Sequence, residues 1–340
     1  MVNISLLASL AEIPGPSGFE SRVKEFIVRK LAEIGYNATT DHVGNLYVTL
    51  GRGRPMLVIA AHMDEVGLLV KYVEDSGFLR IVALGGLIPN TIQGCEVTIM
   101  GEKGDLPGVI GATPPHVKEG VPRELTVDDL YIDIGASSRE EAFHRGVTVG
   151  SPVAFSVRLK DWGDFVASKA LDDRIGCYTL LEALKEAEEP EKGTIVVAFT
   201  VQEEVGLRGA SALAHWLEPD FAIAVEGTIA NDTPGTPADR VVTRIGLGPA
   251  LRVMDRTILA SQSLLNHVKQ LAVNAKVPYQ LQISPYSGTD AGGFLHRGAA
   301  ITAISVPVRY IHAPVSLVKK CDVDNTVSLI KELLNNPWPK

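Results

Sequence analysis

Hydrophobic positions change their spacing three times along this chain. Val23, Phe26, Ile27, Leu31 and Ile34 recur at helical spacing with Arg and Lys between them, and Gly35 closes the stretch. Ser17-Gly18-Phe19-Glu20, just ahead, has the spacing of a capping box. Apolar, strand-like runs at 45–50 and 56–61 follow, joined by the turn-forming Gly51-Arg52-Gly53-Arg54. From about Leu68 to Lys160 the runs become short, alternating or β-branched. Asp75-Ser76-Gly77, Gly104-Asp105 and the stretch from Gly111 to Pro115 interrupt them, a texture that predicts a small β-barrel-like module. After Asp172 the longer period returns, with Ile175, Tyr178, Leu181 and Leu184 on one helix face. Strand and helix then alternate over 194–201, 210–217, 221–225, 261–275, 299–306 and 323–334. That order predicts an α/β fold, a mainly parallel sheet sandwiched by helices. The simplest organisation is an α/β domain built from 1–66 and 161–340, with a β domain inserted at 67–160.

Length agrees with two units, since 340 residues exceed the size at which one core usually splits. An apolar share of 46% supports large cores. A formal charge of −8 and the lack of a basic stripe argue against a nucleic-acid partner. The acidic run of Glu186, Glu188, Glu189 and Glu191 reads as a solvated face at a helix end. Cys95, Cys177 and Cys321 are odd in number and widely spaced, so each reads as a small buried hydrophobe in a reducing compartment. The first residues lack a basic start and a long apolar segment, so neither a signal peptide nor a membrane partner is expected, and the protein is expected to be cytoplasmic.

The chemistry lies at the ends of the apolar runs. Residues 56–61 lead into His62-Met63-Asp64, and 194–201 into Gln202-Glu203-Glu204. Residues 221–225 lead into Glu226, and 299–307 are followed by Arg309-Tyr310-Ile311-His312. Continuous Val, Ile and Ala runs suit parallel strands buried on both faces, and ligands bind outside the carboxyl ends of such strands. His62, Glu203, Glu204, Glu226 and His312 would then share one sheet edge, which is the ligand inventory of a borderline divalent metal, and of two such ions. Asp64, two residues beyond His62, can reach its imidazole and fix the tautomer. Two adjacent carboxylates at the end of a buried strand raise each other's pKa unless a cation intervenes. Glu203 and Glu204 could therefore point to a water and a metal, or open the next loop as solvated acids. Asp172, in Ser168-Lys169-Ala170-Leu171-Asp172-Asp173-Arg174, is either a first-turn acid favoured by the helix dipole or a bridge between two metals, with Asp173 and Arg174 a structural pair. His42, His116, His144, His215, His267 and His296 show no ligand spacing and read as structural or surface residues. Without a G-x-S-x-G, and with no cysteine that has a convincing histidine partner, nucleophilic catalysis has no anchor.

Four motifs together carry a resemblance: Ala61-His62-Met63-Asp64-Glu65-Val66-Gly67, Lys169-Ala170-Leu171-Asp172-Asp173-Arg174, Gln202-Glu203-Glu204-Val205-Gly206 and Arg309-Tyr310-Ile311-His312-Ala313-Pro314. In order, context and rough separation they resemble the tetrahedral (TET) family of dinuclear-metal aminopeptidases, over essentially the whole chain. The resemblance implies that Asp172 bridges two metals, His62 and Glu226 complete one site, and Glu204 and His312 complete the other. It also implies that Glu203 is the general base, that Asp64 orients His62, and that Ser287-Gly288-Thr289-Asp290-Ala291-Gly292-Gly293 lies near the substrate. Many relatives carry Asp where Glu226 stands here, so the longer reach leaves the denticity of that carboxylate open. Zinc, cobalt and manganese all accept such ligands.

The expected activity is removal of N-terminal residues from short peptides by two-metal hydroxide attack with a glutamate base. A metal-dependent deacylase of a small N-acylated metabolite would use the same chemistry on a blocked amine. A glycosidase fits less well, because adjacent glutamates cannot flank a sugar bond and the histidines would be idle. A non-catalytic assembly protein would leave the strand-end residues without a purpose. The resemblance further implies self-association into a large homo-oligomer, a tetrahedral dodecamer with dimers as its building unit, through the inserted domain. Surplus apolar residues there, among them Leu68, Leu69, Val70, Ile81, Val82, Leu84, Leu87 and Ile88, agree with that.

Overall fold

A computed structural model describes residues 1–113 and 125–339. Two assemblies of strands organise the described residues: an eleven-stranded sheet and a closed barrel of six strands. The sheet begins with β1 (Thr39–Thr40), β2 (Leu46–Arg52) and β3 (Met56–His62). The barrel follows as β4 (Gly67–Val73), β5 (Leu79–Leu84), β6 (Glu96–Gly101), β7 (Gly104–Ala112), β8 (Leu130–Asp133) and β9 (Pro152–Phe155). The chain then returns to the sheet through β10 (Lys160–Trp162), β11 (Phe165–Ser168), β12 (Gly193–Thr200), β13 (Phe221–Ile229), β14 (Ala250–Asp255), β15 (Gln280–Ser284), β16 (Ala300–Arg309) and β17 (Ser316–Lys319). Helices α1 (Ile4–Glu12) and α2 (Ser21–Glu33) precede the sheet, and α3 (Pro89–Ile92) and α4 (Arg139–His144) accompany the barrel. The later helices are α5 (Leu171–Leu184), α6 (Arg208–Leu217), α7 (Gln262–Asn274), α8 (Ala291–Leu295) and α9 (Lys320–Asn335).

Strands β12, β3, β13 and β16 lie side by side and parallel at the middle of the sheet. Their side chains alternate between two cores, as the pleat requires. Leu57 and Ile59 of β3, Ile195, Val197 and Phe199 of β12, and Ile223 and Val225 of β13 face one core with residues of α1, α2, α5, α7 and α9. The intervening Val58 and Ala60, Val196 and Ala198, and Ala222 and Ala224 face a second core with α6 and α8. Both faces are therefore dry, which is why these strands read as unbroken apolar runs. A third core, with Leu68, Val70, Ile81, Ile99, Ile110 and Ile132, fills the barrel.

Parallel pairing holds at the centre, while towards both flanks the pairing is antiparallel, as in β2 with β12 and β16 with β17. The two strands on either side of the Gly51–Arg54 turn are not partners, because β12 lies between them. β14, β15, β11 and β17 carry no clear apolar run; Arg252 and Gln282 are buried polar residues within them and break the pattern. β13 runs on beyond Glu226 to Ile229, since Gly227, Thr228 and Ile229 still pair with Val306, Pro307 and Val308. The capping box does not form: α2 starts at Ser21 without a side-chain cap. Cys177 is buried, but Cys95 is only partly so and Cys321 is exposed, so the buried-hydrophobe expectation fails for Cys321. Expectations for His116 and Pro115 lie outside the described residues. Among the described residues, no helix is long and apolar enough to cross a membrane.

Candidate metal centre

Strand register sets the height of each side chain at the carboxyl edge. Thr200 of β12 is level with His62 of β3, and Ala224 of β13 with Ala60, so Glu226 is also level with His62. Glu203 and Glu204 lie three and four residues beyond Thr200, and His312 three beyond the end of β16. Four residues with left-handed φ flank or form this edge: Ala170 (51°), Gln202 (55°), Tyr310 (59°) and His312 (62°). Non-glycine residues reach that region only where the surroundings impose it, and such residues cluster at functional sites.

Asp172 sits at the centre. It precedes the regular part of α5, with φ −89° and ψ 108°, while Asp173 has φ −124° and ψ 37°. The two aspartates consequently diverge. Asp173 accepts backbone N–H bonds from His62 (3.0 Å), Gly176 (2.9 Å) and Gly227 (3.1 Å), tying β3, α5 and β13 together. Arg174 does not pair with it; its guanidinium donates to the carbonyls of Met63 (2.8 Å), Leu10 (2.6 Å) and Ile13 (2.9 Å). Asp172 instead turns its two oxygens to two histidines, Oδ1 to His62 Nε2 at 3.3 Å and Oδ2 to His312 Nε2 at 3.5 Å.

Glu204 Oε2 lies 3.2 Å from His312 Nε2, and Glu203 Oε2 lies 3.9 Å from His62 Nε2. Candidate donor atoms of His62, Glu203 and Glu204 fall within 4.8 Å of one another, as do those of Asp172, Glu204 and His312. Glu226 belongs to neither group. It lines the same cavity, of about 620 Å³, but its Oε1 meets Arg252 at 2.7 Å. Ser287 and Gly288 line the cavity too, Thr289 donates to Glu226 Oε2 at 2.8 Å, and the carboxylate of Asp290 accepts from Thr200.

Asp64 is a hub. Its Oδ1 is 3.4 Å from His62 Nδ1 and accepts from the backbone N–H of Glu203 at 3.0 Å. Its Oδ2 accepts from Ser17 Oγ at 2.6 Å and from the Glu204 N–H at 3.2 Å. One carboxylate thus fixes the entry to the Glu203-Glu204 pair and faces the imidazole, although the His62 contact is too long and poorly aligned for a strong hydrogen bond. Ser17 and Glu20, which the sequence offers as a helix cap, serve the site, since Glu20 Oε1 accepts from the N–H groups of Gly18 (2.7 Å) and Gln202 (3.0 Å). His312 Nδ1 lies 3.0 Å from the carbonyl oxygen of Gly86, just beyond β5 of the barrel. Donation there leaves Nε2 as the free ligand atom, so the barrel side supplies an orienting acceptor that no local signal in the sequence announces.

Electrostatics favour a bound cation. Burial raises the Glu203 and Glu204 pKa values, and the charge of Glu204 adds to the effect on Glu203. Burial by itself would lower the His62 and His312 pKa values, but the surrounding carboxylates prevail and raise both, His312 to about 11. Burial works against the charge of Asp172, yet its two histidines hold it below the usual carboxylate range. Glu204 Oε1 is buried without a hydrogen-bond partner. A hard or borderline divalent ion would satisfy that oxygen, displace the histidine protons and neutralise the clustered acids, so the donor set fits a metal.

The family described as M42 glutamyl aminopeptidase matches residues 44–329. The lysyl aminopeptidase of Pyrococcus furiosus is 34% identical, over 100% of this chain and 99% of its own. Aminopeptidase APDkam598 from the archaeon Desulfurococcus kamchatkensis superposes with a TM-score of 0.93 at 35% identity, covering 98% of this chain and 94% of that one. The TET1 peptidase of Pyrococcus horikoshii gives a TM-score of 0.89 at 37% identity, with 98% and 99% covered. With the matched segment spanning both the strand-end residues and the barrel, this chain belongs to the M42 family of aminopeptidases.

Proposed function

We propose that the cluster at the carboxyl edge holds two divalent ions and removes N-terminal residues from short peptides. The observation that carries this reading is Asp172, whose two oxygens face two different imidazoles. His62, Asp172 and Glu226 would hold one ion, and Asp172, Glu204 and His312 the other, with zinc or cobalt the best match to the donors and manganese also acceptable. Bound ions of this kind supply Lewis acidity, polarising a carbonyl and lowering the pKa of water. Glu203 is then the general base: it takes the proton of the attacking water and hands it to the departing amine. Asp64 fixes Glu203 through its backbone N–H and faces His62 Nδ1 at 3.4 Å, where it would orient the ring of a metal-bound His62, and Gly86 orients His312. One of the carboxylates of the cluster would receive the free amine of the substrate.

A pair of substrates differing only in that amine tests the reaction. Aminoacyl-amides should be hydrolysed by the zinc- or cobalt-loaded protein, and their N-acetylated counterparts should not. Preference for the acetylated series would identify a deacylase.

We infer that residues 67–160 act as an inserted self-association unit on a catalytic unit of 1–66 and 161–340. Val82, Ile88, Val109, Phe143 and Val149 leave apolar surface exposed there. The Pyrococcus horikoshii TET1 peptidase assembles into a tetrahedron or a large octahedral shell, and a twelve-subunit tetrahedron built from dimers is the corresponding assembly for this chain. Light scattering should give a mass many times 36.4 kDa, and a fully active monomer of that mass would overturn the assembly.

A further inference from the structure

Arg252, on β14, is one of the largest fully buried side chains of the described residues. Its guanidinium sits 2.7 Å from Glu226 Oε1 and 2.7 Å from Asp255 Oδ2. It also donates to Thr228 Oγ1 (3.1 Å), Ser305 Oγ (3.2 Å) and the Gly288 carbonyl (3.1 Å). β13, β14, β16 and the loop before α8 therefore fix its position. Glu226 is held at both ends, since its other oxygen accepts from Thr289 Oγ1 at 2.8 Å. Neither Glu204 nor Asp172 is engaged by an arginine and a hydroxyl in this way. Glu204 keeps a buried oxygen without a hydrogen-bond partner, and the ion-pair partners of Asp172 are its two histidines. A carboxylate whose oxygens each bind a fixed donor keeps only its remaining lone pairs for a metal.

We propose that Arg252 makes the two metal positions unequal, holding Glu226 to one-oxygen coordination and keeping a permanent positive charge beside the His62 position. This rests on the two-ion reading above. The position built by Asp172, Glu204 and His312 then fills first and holds its ion more tightly. The position built by His62, Asp172 and Glu226 fills second, because its ion must share a carboxylate with a guanidinium and sit near a like charge.

Equilibrium titration of the metal-free protein with zinc, against a chromogenic chelator, reads the two affinities without reference to activity. Two steps are expected, the first tighter by roughly tenfold or more, the usual size of an effect exerted through a residue that holds a ligand. Arg252→Met should tighten the second step and leave the first unchanged, while Arg252→Lys, which retains the charge, should keep the gap. Glu226→Asp, which leaves the guanidinium network in place but withdraws the carboxylate, should narrow the gap as well and serves if Arg252→Met does not fold. Two equal steps in the unmodified protein, or a gap that neither Arg252→Met nor Glu226→Asp changes, would overturn the inference while leaving two ions in place. A total of one ion at saturation would overturn the two-ion reading and this inference together.

Discussion

Glu203→Gln should bind its metal ions and its substrate as the unmodified protein does, while turnover falls by roughly 10²–10⁴-fold, the usual contribution of a general acid–base group. The expectation follows from how the two adjacent glutamates are held. Asp64 accepts from both of their backbone N–H groups, so neither side chain has freedom to exchange places with the other. Glu204 is drawn to His312 at 3.2 Å, whereas Glu203 stands 3.9 Å from His62, beyond direct contact. Glutamine keeps the volume and the acceptor oxygen of Glu203 but cannot take a proton. Metal content by elemental analysis and kcat on an aminoacyl-amide check the two halves separately. Loss of metal from Glu203→Gln would mean that Glu203 and Glu204 have exchanged roles.

Asp172→Asn should be at least as damaging, by another route. Asp172 places one oxygen 3.3 Å from His62 and the other 3.5 Å from His312. An amide presents one weak oxygen donor and one N–H group to a pair of imidazoles, so it cannot bridge two ions. Metal content should fall well below two equivalents and turnover should fall with it. The pH dependence of metal uptake adds a signature. Because Glu204 and Asp172 raise His312 to about 11, its ion pairs stabilise the metal-free fold fully below the ordinary imidazole pKa and are lost as pH rises through the raised value. Metal binding near neutral pH must therefore displace that proton, and proton release on zinc addition should be smaller in Asp172→Asn. One firmly bound equivalent, unchanged by Asp172→Asn, would remove the bridging role.

Much of the site was legible because its residues stand where long apolar runs stop. Burial on both faces of β3, β12 and β16 leaves no room for charged residues until the carboxyl edge, so His62, the Glu203-Glu204 pair and His312 stand out. Glu226 was found by the same signal for a different reason. The strand continues past it, and Arg252 offsets part of the cost of burying its carboxylate inside. That partner lies on β14, a strand whose mixed pattern gives little warning, and its contact with Glu226 is non-local. Ser17 and Glu20 misled because a helix cap and a hydrogen-bond brace use the same residue types. Asp173 and Arg174 misled because adjacent opposite charges invite pairing, whereas backbone amides and carbonyls claimed both. The orienting carbonyl of Gly86 carries no side-chain signal at all.

Anomalous difference density from crystals soaked in saturating zinc tests the two-ion site most directly. Two peaks are expected, one among His62, Asp172 and Glu226 and the other among Asp172, Glu204 and His312, with Asp172 common to both. A single peak at full occupancy, or zinc bound away from Asp172, would contradict it.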